Sequence, residues 1–227
     1  MSESVTATGS TRIWDLPLRL FHWLLVALIA FSWWSGEEHY MEWHRLSGYG
    51  ILALLVFRLW WGFTGSRTAR FSQFVRGPAA VLAYAKTLFS SARHTADGHN
   101  PLGGWSVIAM LLAIAAMVVA GLFAVDVDGW ESGPLAYWVS FEQGRSAAEF
   151  HETVFNVIMA LIILHVAAIV FYLAVKRMNL VRPMITGRRA KSAEEAVEDA
   201  RWSPAMALIG IVIAAAVAWF VSTGFRF

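Results

Sequence analysis

The sequence predicts an all-α integral membrane protein: a four-helix bundle followed by a fifth, C-terminal transmembrane helix. Three observations carry this reading. Hydrophobic residues make up 58% of the 227-residue chain and charged residues only 15%, against about a quarter charged in ordinary globular domains. Five stretches, about 16–35, 44–63, 104–124, 152–175 and 204–223, are predominantly apolar over close to the ~20 residues that cross a bilayer as a helix. No cysteine is present, which excludes disulfides, thiolate-held iron–sulfur clusters and thioether-attached haem.

The N-terminal "MSESVTATGSTRIWD" is polar and lacks a charged region followed by a small-residue cleavage site. The first apolar segment therefore reads as a retained span and not as a signal peptide. The first four spans make one core over 1–180, a charged linker occupies 181–203, and the fifth span with a short tail fills 204–227. Between the second and third spans, "GPAAVLAYAKTLF" reads as a short helix opened by Pro78. It suits either a helix lying on the membrane surface or an ordinary connection. The charged "RRAKSAEEAVEDARW" (188–202) reads as a solvated linker helix.

Orientation follows the Lys/Arg bias of short loops. Arg12 and Arg19 flank the start of the first span, Arg67, Arg70, Arg76, Lys86 and Arg93 follow the second, and Lys176 to Arg201 carry another basic run. The alternate loops hold Arg45 and Arg145 with many acids, Glu37, Glu38, Glu42, Asp126, Asp128, Glu131, Glu142 and Glu149 among them. The N-terminus is accordingly expected inside and the C-terminus outside.

Histidines within the spans are the candidates for chemistry, because buried ionisable groups are costly and usually functional. His151 and His165 are 14 positions apart, nearly four helical turns, so they share one face about 21 Å apart. With alternating helix directions, His44 and His151 fall near the outer surface, and His22 and His165 in the inner half. Paired imidazoles from neighbouring helices suit the two axial positions of haem iron. Neutral imidazole is the ligating form, and its second nitrogen then needs an acceptor such as a backbone carbonyl. Two haems stacked across the bilayer would make an electron path between its faces.

Two further residues fit this reading. Gly48, four residues after His44, would let a macrocycle lie against the backbone. Arg58, 14 residues after His44, reaches the depth of the inner pair, where a haem propionate would partner its guanidinium. The alternative for Arg58 is snorkelling to the nearby interface.

Other readings remain open. Membrane histidines also mark ion and proton routes, although a transporter more often adds an intramembrane carboxylate or broken half-helices. A zinc or copper site wants three or four ligands at one depth, not two at each of two. His39 could substitute for His44 but sits in an acidic loop; His94 and His99 lie on the inner loop, where His99 either approaches the inner site or shapes the entry to the third span. The tryptophans read as an interfacial belt.

The segments "WDLPLRLFHW", "WHRLSGYGILALLVFR", "GHNPLGG" and "FHETVFNVIMALIILH" together resemble the bacterial cytochrome b561 and nickel-hydrogenase b-type cytochrome family over residues 12 to about 178. The resemblance implies two haem b groups in a four-helix core, held by His22, His44, His151 and His165. It also implies a protein of the bacterial inner membrane that exchanges electrons with the quinone pool. The expected partners are a periplasmic c-type cytochrome or a dehydrogenase or hydrogenase, with membrane lipid around the bundle and no nucleic acid. Two alternatives accompany this expectation: a superoxide:quinone oxidoreductase acting without a protein partner, and a non-redox ion or proton transporter. The fifth span carries no histidine and is assigned no redox role.

Overall fold

The five apolar stretches form five helices long enough to span a bilayer in the computed structural model, which describes residues 10–88, 98–190 and 199–226. Helix α1 (Leu16–Glu37) starts where Asp15 accepts a hydrogen bond from the Leu18 amide at 2.7 Å, with Pro17 in the first turn. A tight turn at residues 38–40 reverses the chain into α2 (Met41–Thr64). After a 3₁₀ turn (Arg67–Ala69) come two short helices, α3 (Phe71–Phe74) and α4 (Pro78–Thr87). The expected helix opened by Pro78 is thus present; none of its residues is buried, and Tyr84 ties it to Tyr172 through their hydroxyls at 2.7 Å.

Helix α5 (Pro101–Phe123) is capped by the Asn100 side chain on the Gly103 amide. Helix α6 (Phe141–Ala174) begins 11 residues before the apolar stretch that announced it. Its start is a capping box, in which Ser140 and Gln143 satisfy each other's backbone amides. The amphipathic "FEQGRSAAEFH" is helical without being apolar, so hydropathy passes over it. A short α7 (Val181–Thr186) and α8 (Pro204–Ser222) complete the helices.

The charged segment departs from the expected linker helix. Arg188–Ala190 is a strand, β2, paired antiparallel with β1 (Ser10–Arg12), Ser10 opposite Ala190 and Arg12 opposite Arg188. The amides of Ile13 and Trp14 both donate to the Gly187 carbonyl, and Asp199 accepts from the Arg12 amide at 2.8 Å and the Thr11 hydroxyl at 3.1 Å. The β-strand wins because the N-terminal segment offers unpaired backbone groups that a helix at 188–190 could not satisfy. Residues 191–198 of the expected helix lie outside the described residues.

Packing divides the bundle into two hairpins, α1 with α2 and α5 with α6, that meet chiefly along α2 and α5. Ile51 and Leu55 of α2, Ile114 of α5 and Val154 and Ile158 of α6 form an apolar layer at mid-depth, with Leu25, Leu28 and Ile29 of α1 against it. A second core gathers at the N-terminal end of α1 around Trp14, Phe21, Phe57 and the fully buried Trp61. The fifth helix joins that core: Ala207 and Ala214 are buried in it, and Gly210 sits so close to the Trp60 indole that a Cβ would meet it at 2.4 Å. Trp60 also donates to the Met206 carbonyl at 2.9 Å. The fifth helix therefore covers α2.

Candidate functional site

His44 stands in the first turn of α2 and His151 three turns into the long α6, so both lie at the end of the bundle opposite the N-terminus. Their ring centroids are 5.9 Å apart with planes at 71°. The Nδ1 of His44 is 2.8 Å from the Ser32 carbonyl of α1, and the Nδ1 of His151 is 2.8 Å from the Met117 carbonyl of α5. A carbonyl can only accept, so each Nδ1 carries the proton and each Nε2 keeps its lone pair. One helical turn beyond each carbonyl is a glycine against the ring: a Cβ at Gly36 would sit 3.1 Å from His44, and one at Gly121 would sit 3.0 Å from His151. The same device serves both histidines. Metal–imidazole bonds run to about 2 Å, so two rings this close, each with a free nitrogen, suit a single intervening metal atom.

His22 and His165 lie towards the other end, on α1 and α6. Their surroundings differ. His22 meets the edge of Trp23 at 4.9 Å, its Nδ1 is buried without a hydrogen-bond partner, and no hydrogen bond is made by the His165 ring among the described residues.

Arg58 is 2% exposed and does not snorkel. Its guanidinium lies 4.6 Å over the Phe71 ring and 5.9 Å from that of Phe74, and one of its terminal nitrogens is buried without a partner. Aromatic faces compensate a cation only partly, so the group suits an additional anion. A Cβ at Gly48 would meet nothing within 4 Å, leaving open space on the α2 face one turn from His44. The open face at Gly48 and the two free Nε2 atoms fit a large planar metal cofactor at one end of the bundle, and the unpaired Arg58 nitrogen, about four turns from His44 along α2, suits an acidic side arm at the other.

His99 comes closer to this region than its loop position suggests. It is wedged between Trp14 at 4.7 Å and Phe74 at 4.8 Å. Burial holds its pKa down at about 4, with the Arg58 and His165 charges adding to the effect, so it is neutral at physiological pH. His39 is exposed in the α1–α2 turn with its Nδ1 on the Glu37 carbonyl, apart from the paired rings. His94 lies outside the described residues.

Sequence reasoning missed Asp15. Its carboxylate is fully buried, caps α1, and accepts from the Trp61 indole at 3.0 Å and the Ser66 amide at 3.4 Å, with Arg58 an electrostatic neighbour. Asp followed two positions later by Pro is a helix-start signal that could have found it. The glycines beside the histidine rings were also missed, because nothing local in the sequence marks them.

Comparison with known proteins places this geometry. The family model for prokaryotic cytochrome b561 matches residues 13–187, the whole of the two hairpins and α7 but neither strand nor the fifth helix. A relative described as a probable Ni/Fe-hydrogenase B-type cytochrome subunit, from Azotobacter chroococcum mcd 1, is 24% identical over 221 residues, covering 82% of this chain and 91% of that protein. No solved structure matches the chain. Five membrane-spanning helices and a family match over most of the chain converge: the protein belongs to the prokaryotic cytochrome b561 family, the b-type cytochromes that carry electrons through haem b in the membrane.

Proposed function

We propose that the chain is a di-haem cytochrome that moves electrons across the bacterial inner membrane, from a periplasmic redox partner to the quinone pool. His44 and His151 would hold the outer haem iron and His22 and His165 the inner one, with the N-terminus cytoplasmic and the C-terminus periplasmic. The observation that carries this reading is the outer pair: two rings in contact, each with Nδ1 bound to a carbonyl and Nε2 free. Haem iron supplies the one-electron chemistry; the chain supplies position and surroundings.

Each carbonyl bond fixes its ring's tautomer and raises the basicity of the ligating nitrogen, which favours the oxidised metal. The apolar layer of Ile51, Leu55, Ile114, Val154 and Ile158 keeps water from the space between the two pairs. Arg58 offers its unpaired nitrogen to a propionate of the inner haem, and Gly48 leaves room for the outer macrocycle.

The name of the relative supports a hydrogenase-like enzyme as donor, with a c-type cytochrome or another dehydrogenase as the other class that fits. A superoxide oxidoreductase would need free cations near the outer site. Arg45 is instead paired with Glu131, and Arg145 donates to the Val125 carbonyl at 2.9 Å.

The test is a reduced-minus-oxidised visible spectrum of the purified protein with a pyridine haemochrome count. Two haem b per chain are expected. One haem would break one of the pairs, and a folded protein without haem would return the histidines to an ion or proton path.

A further inference from the structure

Away from the His44–His151 pair, on the side of the bundle that carries the N-terminus, the structure holds a cavity of about 320 Å³. It lies where the end of α2 gives way to the start of α5, and Arg67, Thr68, Gln73, Arg76, His99 and Pro101 are among the residues lining it. Two arginines and two neutral polar residues line one space, and among the described residues no carboxylate lines it. The Nδ1 of His99 is buried there without a hydrogen-bond partner. The 23-residue α5 begins at Pro101, so the positive end of a long helix dipole points the same way. This charge arrangement selects an anion with several acceptor oxygens.

The depth of the cavity says which anion. The Trp105 indole, 46% exposed, donates to the Arg76 carbonyl at 2.8 Å, and tryptophans of this kind sit at the level of lipid headgroups. The exposed α4 (Pro78–Thr87) follows directly after Arg76 and presents Leu82, 65% exposed, as a surface helix would to the bilayer. Basic pockets at the membrane boundary between spanning helices bind phospholipid headgroups.

We infer that this cavity is a headgroup site for one anionic phospholipid, its phosphate held by Arg67 and Arg76 with Gln73 and His99 as hydrogen-bond donors. The site adjoins the inner histidine end through His99 and Phe74, but the inference does not depend on the haem reading.

The full-length protein, purified in mild detergent and delipidated, is titrated with dioctanoyl phosphatidylglycerol, dioctanoyl phosphatidylcholine or inorganic phosphate and followed by native mass spectrometry. One phosphatidylglycerol per chain is expected to be retained, while phosphatidylcholine and inorganic phosphate are not. Each cation near a phosphate surface contributes about 1 kcal/mol, so Arg76→Gln should weaken phosphatidylglycerol binding about fivefold and the Arg67→Gln/Arg76→Gln pair roughly 25-fold. Arg76→Lys, which keeps the charge, should bind nearly as the parent does. Equal retention of phosphatidylcholine, or unchanged binding by the double variant, overturns the inference. Inorganic phosphate bound as tightly as the lipid overturns it in favour of a free-phosphate site. A change in the visible haem spectrum in Arg76→Gln but not in Arg76→Lys overturns it by assigning the cation to a haem.

Discussion

The His44–His151 and His22–His165 pairs use the same two residue types on facing helices, yet the protein builds them differently. Both rings of the first pair are tied to carbonyls of the neighbouring helix, backed by glycines and in contact with each other. In the second pair, the His22 Nδ1 is buried and unpaired, and His165 makes no ring contact with His22. Instead, charge gathers nearby: Arg58, Asp15 and the neutral His99 all lie towards that end. The rings of the first pair are held by the chain's own carbonyls, whereas the surroundings of the second are chiefly electrostatic. Anchored imidazoles hold a metal more tightly than unanchored ones, so on the proposed reading the two sites should differ in how they hold a metal cofactor as well as where.

The largest expected effect comes from removing a ligand. His151→Ala should lose the outer haem and keep the inner one, halving the pyridine haemochrome absorbance per chain; His39→Ala should lose neither. Loss of both haems in His151→Ala would mean the two sites do not form separately.

Next comes the device that separates the sites. A Cβ at Gly121 would lie 3.0 Å from both Nδ1 and Cε1 of His151, so Gly121→Val must push the ring off the Met117 carbonyl. Losing such a supporting hydrogen bond lowers metal affinity about 10–100-fold, measurable by haem transfer to an apo-globin acceptor. In the parent protein the same assay should strip the inner haem first. If the outer haem leaves first, the anchoring contributes nothing to retention.

Arg58 probes the electrostatic half of the comparison. Arg58→Gln removes a buried positive charge, and the inner haem potential should fall by on the order of 50 mV, about one kcal/mol for one electron. The outer potential should move much less. Redox titration followed at the two haem bands reads both.

The smallest effect lies at the strands. Hydrogen bonds from the Arg12 amide and then the Thr11 hydroxyl hold the Asp199 carboxyl below its ordinary range. A carboxylate with a lowered folded-state pKa stabilises the fold fully above the unfolded value of about 4 and loses that contribution as pH falls through the lowered one. Amide exchange at Arg12, referenced to intrinsic rates, should therefore lose protection below about pH 4. Asp199→Ala should show the reduced protection at neutral pH as well. Asp199 is exposed, so solvent screens the effect.

Much of this was legible in the chain. Apolar length located the five spans to within a few residues at most ends, because a bilayer tolerates few alternatives to a helix. Helical periodicity placed His151 and His165 on one face, and alternating direction brought His44 beside His151. What stayed hidden depends on contacts between distant segments. The carbonyls of Ser32 and Met117 are backbone groups that any residue would supply. Gly36 and Gly121 matter only once a neighbouring ring is known to press against them. Asp15 reads as a polar residue before a span until Trp61 and Ser66 are seen to close over it. The start of α6 was readable in the Ser140–Gln143 capping box, but hydropathy gave it no weight.

The pairing of β1 with β2 bears on how the chain is made. Ser10 and Arg188 stand 178 positions apart, so the first described segment to leave the ribosome has no partner until four spans have been synthesised. At about 5–20 residues per second, that wait is roughly 10–40 s. Trp14 and Ile13, which enter the core beside Trp61, are fixed by the Gly187 carbonyl from that late segment. The strand that opens the fold is therefore among the last to be secured. A ribosome stalled before Gly187 would leave the N-terminal end of α1 open, and a bulky fusion placed just before Ser10 would have to be carried into that late closing step.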